Sequence, residues 1–155
     1  MRNCLKKEGS KGLRKSQRGS NLLLSLCGTG YIKGGGTLAS LEVLLLLFFF
    51  PSFSIYLFIL SLLTGVVLTW NMEDRSWIVL DEACGMSLAL VFLKKNPWLY
   101  LSAFLLFRVF DIWKPPFLKK LEKLKGGIMW DDVVAGAIAG ILTSTGEVIW
   151  RHLYL

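Results

Sequence analysis

The sequence has few cysteines and a single histidine. The three cysteines, Cys4, Cys27 and Cys84, are odd in number and far apart, which argues against a disulfide framework and for a reducing compartment. No CxxC pair and no Cys/His spacing typical of zinc sites occurs, and no cysteine is followed six positions later by arginine. These absences argue against a zinc site and exclude a cysteine phosphatase. The histidine, His152, has no partner motif and is expected at an interface.

Alternation of apolar and polar residues, the pattern of a half-buried strand, is also missing from the sequence. The apolar segments instead have the length and the boundaries of helices. They predict an all-α fold, a membrane-embedded bundle of about five helices. The predicted helices cover approximately residues 38–50, 52–70, 82–94, 97–111 and 132–152.

Apolar residues are abundant, at 54% of the 155 residues, and the mean hydropathy is +0.53. Residues 43–70 carry no formal charge, and a membrane helix needs only about 20 residues. Pro51 lies inside this run, where proline removes a backbone donor and clashes with the preceding turn. The run therefore predicts two antiparallel membrane helices that are separated at Pro51.

Positive charge is concentrated at the N-terminus. Residues 1–20 hold most of the net charge of +7 and are rich in lysine, serine and glycine, which predicts a disordered tail before a helical domain at residues 21–155. A basic tail can bind nucleic acid or anionic lipid. Beside long apolar runs, the lipid interpretation is favoured, with a cytoplasmic tail and no nucleic-acid partner. The N-terminus has no clear cleavage pattern of a secretory signal.

A glycine-rich segment, CGTGYIKGGGTLAS, lies between the tail and the first apolar helix. Glycines allow a backbone to approach a ligand closely, so the segment is a candidate binding loop, although a flexible linker explains it equally well. It imitates a P-loop from Gly30 to Thr37, but Gly36 stands where a P-loop has lysine. Nucleotide binding is therefore not predicted.

Acidic residues fall at the ends of the predicted helices. In an up-and-down bundle that turns at Pro51 and at Lys95, all of these ends and the glycine-rich loop converge at one end of the bundle. Carboxylates crowded beside a low-dielectric medium repel one another unless protons or cations intervene, and Mg²⁺ prefers such oxygen ligands. The predicted metal ligands are a subset of five carboxylates: Asp81, Glu82, Asp111, Asp131 and Asp132.

Simpler interpretations exist for several of these residues. Asp131 and Asp132 can cap the start of a helix, and Arg108 with Asp111, three residues apart, can form a plain ion pair. In the catalytic interpretation, Arg108 instead grips phosphate oxygens. The basic tail and the lysine-rich residues 114–125 fall on the side of the carboxylates. By the positive-inside rule, this side is predicted to face the cytoplasm.

Three blocks carry a resemblance to a known family: IVLDEACG at residues 78–85, FRVFDIWKPPF at 107–117 and IMWDDVVAG at 128–136. Together with GGTLASL at residues 35–41, they resemble the signature blocks of the phosphatidylglycerophosphatase A family, in the same order. The resemblance implies an Mg²⁺-dependent enzyme that hydrolyses the phosphomonoester of phosphatidylglycerophosphate to phosphatidylglycerol and inorganic phosphate. It also implies a phospholipid substrate and a location in the bacterial inner membrane.

The resemblance also assigns roles to residues. The carboxylates that it implies as catalytic are the five named above, and the residues that it implies for binding substrate phosphate are Arg108, Lys114, Thr37 and Ser40. Two other functions stay open. A lipid head-group phosphotransferase would also use metal and acidic residues, but the DGxxAR block that is typical of such enzymes is absent. A non-catalytic membrane protein that binds cations or assists assembly would need the charges only for pairing.

Overall fold

The computed structural model describes residues 21–70, 78–113 and 127–154. Within these ranges the chain forms five α-helices and short 3-10 segments, residues 21–24 are also helical, and no strand is present, so the predicted all-α class is confirmed. The basic tail at residues 1–20 and Lys114 lie outside the described residues. The helices are α1 (Gly35–Phe49), α2 (Ser54–Thr69), α3 (Leu80–Val91), α4 (Pro97–Trp113) and α5 (Gly127–Tyr154).

The predicted break at Pro51 is confirmed. Helix α1 ends at Phe49, and a 3-10 turn at Pro51–Phe53 leads into α2. Phe50, between the two, has φ −126° and ψ 64°, outside the helical region. The conformation follows from sequence, because the residue before a proline is disfavoured in the α conformation.

Helix α3 is the central element of the bundle, since α1, α2, α4 and α5 all pack against it. It has only 12 residues, most of them small and buried. At its contact with α5, a Cβ on Gly136 would overlap the backbone carbonyl of Gly85. Glycine at both positions therefore lets the two helix backbones touch, which brings the first turn of α3 close to α5.

Large buried side chains complete the core around α3. Tyr100 and Phe107 of α4 are fully buried, as are Leu47 of α1 and Met86 and Leu90 of α3. Phe48 packs edge-on against Tyr100, with ring centroids 6.0 Å apart. The core thus lies between α1, α3, α4 and α5, below the end of the bundle where the carboxylates are found.

The outer surface of the bundle is apolar. Leu63 and Val67 of α2 are 62% and 75% exposed, and the outward residues of α4 and α5 are also largely aliphatic or aromatic. In the described part of the chain, two helical stretches are long and apolar enough to cross a membrane: Pro51–Thr69, with a mean hydropathy of 2.0, and Met129–Leu153, with 1.5. Exposed apolar area of this extent favours a bilayer as the surroundings of the bundle.

Candidate metal and phosphate site

The first turn of α3 carries two acidic residues, Asp81 and Glu82. Carboxylates are stabilised there because the free amides of a helix start carry partial positive charge. An Asp81 Oδ1 accepts a hydrogen bond from the backbone N–H of Glu82 at 3.0 Å. Asp81 is 8% exposed, so the pair begins α3 inside the bundle rather than in solvent.

The other aspartate pair, Asp131 and Asp132, lies on α5, and each is only 3% exposed. Helix α5 begins at Gly127, before the predicted start near residue 132, and its first turn holds no acidic residue. The capping interpretation of this pair is therefore wrong. Buried carboxylates within a helix are costly unless other groups compensate their charge, so a different reason for them is required.

Helices α3 and α5 bring three of the predicted carboxylates together. Oxygen atoms of Asp81, Glu82 and Asp132 all lie within 4.8 Å of one another. The contact between Gly85 and Gly136 explains this arrangement, because each glycine lies four residues after the Asp81 or Asp132 of its own helix, on the same face. We call Asp81, Glu82 and Asp132 the carboxylate cluster.

The electrostatics of the cluster are unfavourable for three ionised groups. Burial, followed by the charges of Glu82 and Asp132, raises the pKa of Asp81 well above its ordinary value. Burial also raises the pKa of Glu82, and the charge of Asp111 adds to this effect. The cluster thus favours any cation or proton that offsets its charge.

The residues present fit a divalent metal ion. Carboxylate oxygens are the ligands that Mg²⁺ prefers, and the cluster offers one from each of three side chains. Glu82 Oε2 is buried and has no hydrogen-bond partner among the described residues, and such an atom is rare in a folded protein. Of the five carboxylates predicted as metal ligands, Asp81, Glu82 and Asp132 are the three whose oxygens lie this close together. Asp111 and Asp131 are not members of the cluster.

Arg108 and Asp111 form the predicted ion pair on the last turns of α4. Arg108 Nη1 lies 2.6 Å from Asp111 Oδ2, and the two side chains are 14% and 13% exposed. The pair does not use the whole guanidinium, because Arg108 Nε is buried without a hydrogen-bond partner in the described part of the chain. Arg108 therefore keeps a donor for a ligand while Asp111 holds it in place.

A polar cavity of about 490 Å³ lies beside the cluster, and Glu82 belongs to both. Residues 30–37 of the glycine-rich loop form one wall, and Glu82 and Arg108 form the other. The close approach depends on Gly36, where a Cβ would overlap the Glu82 carboxylate. The cavity combines a guanidinium, backbone amides and the edge of a carboxylate cluster, which suits an anion bound together with a metal.

Thr37 and Ser40, the two hydroxyl residues implied for phosphate binding, occupy different environments. Thr37 lines the cavity. Ser40 is fully buried on α1, and its hydroxyl donates a hydrogen bond to the Gly36 carbonyl at 2.9 Å. One residue of the cavity wall, Lys33, was missed by the sequence reasoning, although a cation beside three glycines was a usable signal.

Known proteins share this sequence pattern. A profile of phosphatidylglycerophosphatase A matches residues 22–146. A protein of Bacteroides thetaiotaomicron, provisionally named a phosphatidylinositol-3-phosphatase, is 41% identical over 80 residues, which cover 48% of this chain and 50% of the relative. The phosphatidylglycerophosphatase A of Escherichia coli is 42% identical over 82 residues, covering 50% of this chain and 48% of the relative.

A third relative, the phosphatidylglycerophosphatase A of Haemophilus influenzae, is 42% identical over 76 residues, covering 46% of this chain and 47% of the relative. The matches span about half the length of these curated relatives. No solved structure matches the chain. The profile match extends over most of the sequence and includes the whole carboxylate cluster, Arg108 and the glycine-rich loop. The chain belongs to the phosphatidylglycerophosphatase A family.

Proposed function

We propose that this protein is a membrane lipid phosphatase that hydrolyses the phosphomonoester of phosphatidylglycerophosphate to phosphatidylglycerol and inorganic phosphate. One observation carries the proposal: the oxygens of Asp81, Glu82 and Asp132 lie within 4.8 Å of one another beside a cavity lined by Arg108. A metal ion held by carboxylates and a cationic side chain directed at the phosphate are two recurring parts of phosphoryl-transfer sites.

Substrate phosphate binds in the polar cavity. The guanidinium of Arg108 donates to phosphate oxygens from its Nε and Nη groups, while Asp111 fixes its orientation. The hydroxyl of Thr37 and the ammonium of Lys33 reach the same anion from the glycine-rich loop. Lys114 and Ser40 are assigned supporting roles on family resemblance.

The carboxylate cluster would hold Mg²⁺ through Asp81, Glu82 and Asp132. When bound, the ion supplies Lewis acidity at the phosphate and offsets the mutual repulsion of the carboxylates. Asp111 orients Arg108. Asp131, which precedes Asp132 in sequence, is a further buried carboxylate. Cys84 is assigned no part in the reaction, because burial raises the pKa of its thiol to about 12.

The reaction is a transfer of the phosphoryl group to water. A bond forms between the water oxygen and phosphorus, and the bond from phosphorus to the glycerol oxygen breaks. The water proton passes to a carboxylate of the site, and that carboxylic acid then gives the proton to the departing glycerol oxygen, which leaves as the alcohol. Arg108 stabilises the charge that spreads over the equatorial phosphate oxygens during transfer.

The side of the membrane follows from the distribution of charge. Lys94 and Lys95 lie at the end of the bundle opposite the cluster, and Lys95 Nζ lies 5.2 Å from the ring centroid of Phe48, near the end of α1. The greater positive charge is in residues 1–20 and 114–125, which adjoin in sequence the segments that form the site. We assign the site to the cytoplasmic face of a bacterial inner membrane.

The test is release of inorganic phosphate from phosphatidylglycerophosphate by the purified full chain in detergent micelles. Activity is expected with Mg²⁺, and none after chelation. Asp132→Asn keeps the shape of the side chain and should reduce activity to background. Glu147→Gln, on the same helix but outside the cluster, is the matched control and should retain it.

The outcomes separate the alternatives. Unchanged turnover in a folded Asp132→Asn protein would refute the assignment of the cluster. Transfer of the phosphate to an added alcohol, without release of inorganic phosphate, would indicate a phosphotransferase, whereas metal binding without turnover would indicate a cation-binding protein. Because the relatives' names differ in head group, phosphatidylinositol 3-phosphate is assayed in parallel.

A further inference from the structure

Helices α1 and α2 separate from each other beyond their connecting turn. Both pack against α3, but they make few contacts with one another. An antiparallel pair joined by a three-residue turn normally packs along its length. Here, the space between the two helices is left open as a groove, and α3 lines its inner end.

Two cavities together form this groove, and both include Leu46 and Leu57. The cavity near the turn measures about 360 Å³ and is lined by apolar and aromatic side chains: Leu46, Phe50, Phe53, Tyr56, Leu57 and Leu60. The second, about 300 Å³, continues towards the first turn of α3. The two cavities therefore adjoin at Leu46 and Leu57.

The inner end of the groove reaches the turn of α3 that carries Asp81 and Glu82. Its floor there includes Leu80 and Ala83, the residues directly before and after Asp81 and Glu82 in sequence. The polar side chains of the groove occur at this end. Glu42 accepts a hydrogen bond from Thr29 Oγ1 at 3.1 Å, and Ser61 donates to the Leu57 carbonyl at 2.7 Å. The groove is therefore apolar along its length, and Glu42 and Ser61 lie at the end towards the site.

We propose that this groove binds one fatty acyl chain of the lipid whose phosphomonoester occupies the polar cavity. The inference rests on the proposed function and adds a second subsite to it. A lipid substrate has an anionic head followed by apolar chains, and the surface offers a polar cavity at Glu82 and Arg108 and an apolar groove that reaches the same turn of α3. From Glu42 to Phe50 the groove is about 12 Å long, at about 1.5 Å per helical residue.

Binding in the groove determines position more than affinity. A chain that leaves the bilayer exchanges one apolar environment for another, so the hydrophobic effect contributes little, and contacts with the groove walls contribute the rest. A held chain limits the positions that the head group can take relative to Arg108 and the cluster. The structure assigns the groove to selection between long-chain and short-chain substrates.

Leu46→Trp and Leu57→Trp test this assignment, because a larger side chain at either position fills the groove from one wall. Leu45→Trp on α1 and Leu63→Trp on α2 are matched controls, since these residues point outward, 51% and 62% exposed, and do not line the groove. Dipalmitoyl and dibutanoyl phosphatidylglycerophosphate are compared in the same detergent. Helical circular dichroism and the thermal midpoint establish that each variant is folded.

The groove variants should lose about tenfold in kcat/KM with the dipalmitoyl lipid, the scale on which a pocket discriminates by one or more methylenes. They should keep wild-type kcat/KM with the dibutanoyl lipid, and the controls should keep both. An equal loss with both lipids, or no loss in the groove variants, overturns the assignment. Absence of phosphate release from every lipid by the wild type would instead overturn the proposed function.

A direct measurement covers the case in which both groove variants fail to fold. Wild-type protein is irradiated with a phosphatidylglycerophosphate analogue that carries a diazirine on one acyl chain, and the labelled peptides are sequenced. Label at Leu46, Phe53 or Leu57 is expected. Label confined to outward residues such as Leu63 and Val67 would show a lipid in the surrounding bilayer and would overturn the groove.

Discussion

Gly36 lies directly against the carboxylate of Glu82, so closely that a Cβ at position 36 would overlap Oε1. This contact joins the glycine-rich loop to the carboxylate cluster, and it is formed by residues far apart in sequence. The glycine-rich loop, which the sequence alone explains equally well as a flexible linker, therefore forms one wall of the site.

Gly36→Ala should displace Glu82 from the cluster. Because the overlapping atoms are at the end of a flexible side chain, the fold should tolerate the change. Displacement by about 1 Å at a reacting centre can reduce turnover by about a hundredfold. Phosphate release by Gly36→Ala is measured beside Gly146→Ala, whose added Cβ meets nothing within 4 Å. Equal activity of the two variants would contradict the role of this contact.

Gly136→Ala should reduce the stability of the fold, in addition to any effect on turnover. The added Cβ meets the backbone carbonyl of Gly85, which cannot rotate away, so α3 and α5 must separate. Overpacking of this kind costs about 1–3 kcal/mol, partly offset by the higher helix propensity of alanine. The thermal midpoint in detergent should fall, whereas Gly146→Ala should leave it unchanged or raise it.

Arg108→Lys should weaken phosphate binding although it keeps the positive charge. Lysine lacks the planar fork that donates to a phosphate and to Asp111 together. A loss of about tenfold in kcat/KM is expected, since a hydrogen bond to a charged group contributes about 1.5–3 kcal/mol. Arg151→Lys, from the Glu147 ion pair elsewhere on α5, is the control and should keep wild-type kinetics.

Stability without divalent cations should fall as the pH rises above about 4, where an unfolded aspartate ionises. Burial, with the charges of Glu82 and Asp132, raises the pKa of Asp81, so the folded protein holds a proton that the unfolded chain has released. This contribution is complete below the unfolded pKa and is lost as the pH passes through the folded pKa. Thermal midpoints measured across the pH range check the slope.

Two additions make the pH measurement specific. Asp81→Asn should flatten the slope, because the group no longer titrates. Mg²⁺ should raise the midpoint of the wild type at neutral pH, as a ligand at 100 times its Kd adds about 2.7 kcal/mol to the free energy of unfolding. A midpoint that is insensitive to Mg²⁺ in the wild type would argue against a metal in the cluster.

The helical class, the break at Pro51 and the candidate carboxylates were all readable from the sequence. These features depend on local properties: the length of apolar runs, the missing amide of proline and the charge of side chains. The start of α5 was placed too late, near residue 132 rather than at Gly127, because residues 127–130 carry no strong start signal. Because the helix begins about one turn earlier, Asp131 and Asp132 are buried carboxylates within it and do not cap its start.

Which carboxylates meet was decided by the tertiary structure alone. Sequence reasoning offered five, and the contact of Gly85 with Gly136 selects Asp81, Glu82 and Asp132 by setting the distance and rotation between α3 and α5. The groove between α1 and α2 likewise has no local signature. It exists because both helices pack on α3 instead of on each other, and such a choice among partners is settled only when all the helices pack together.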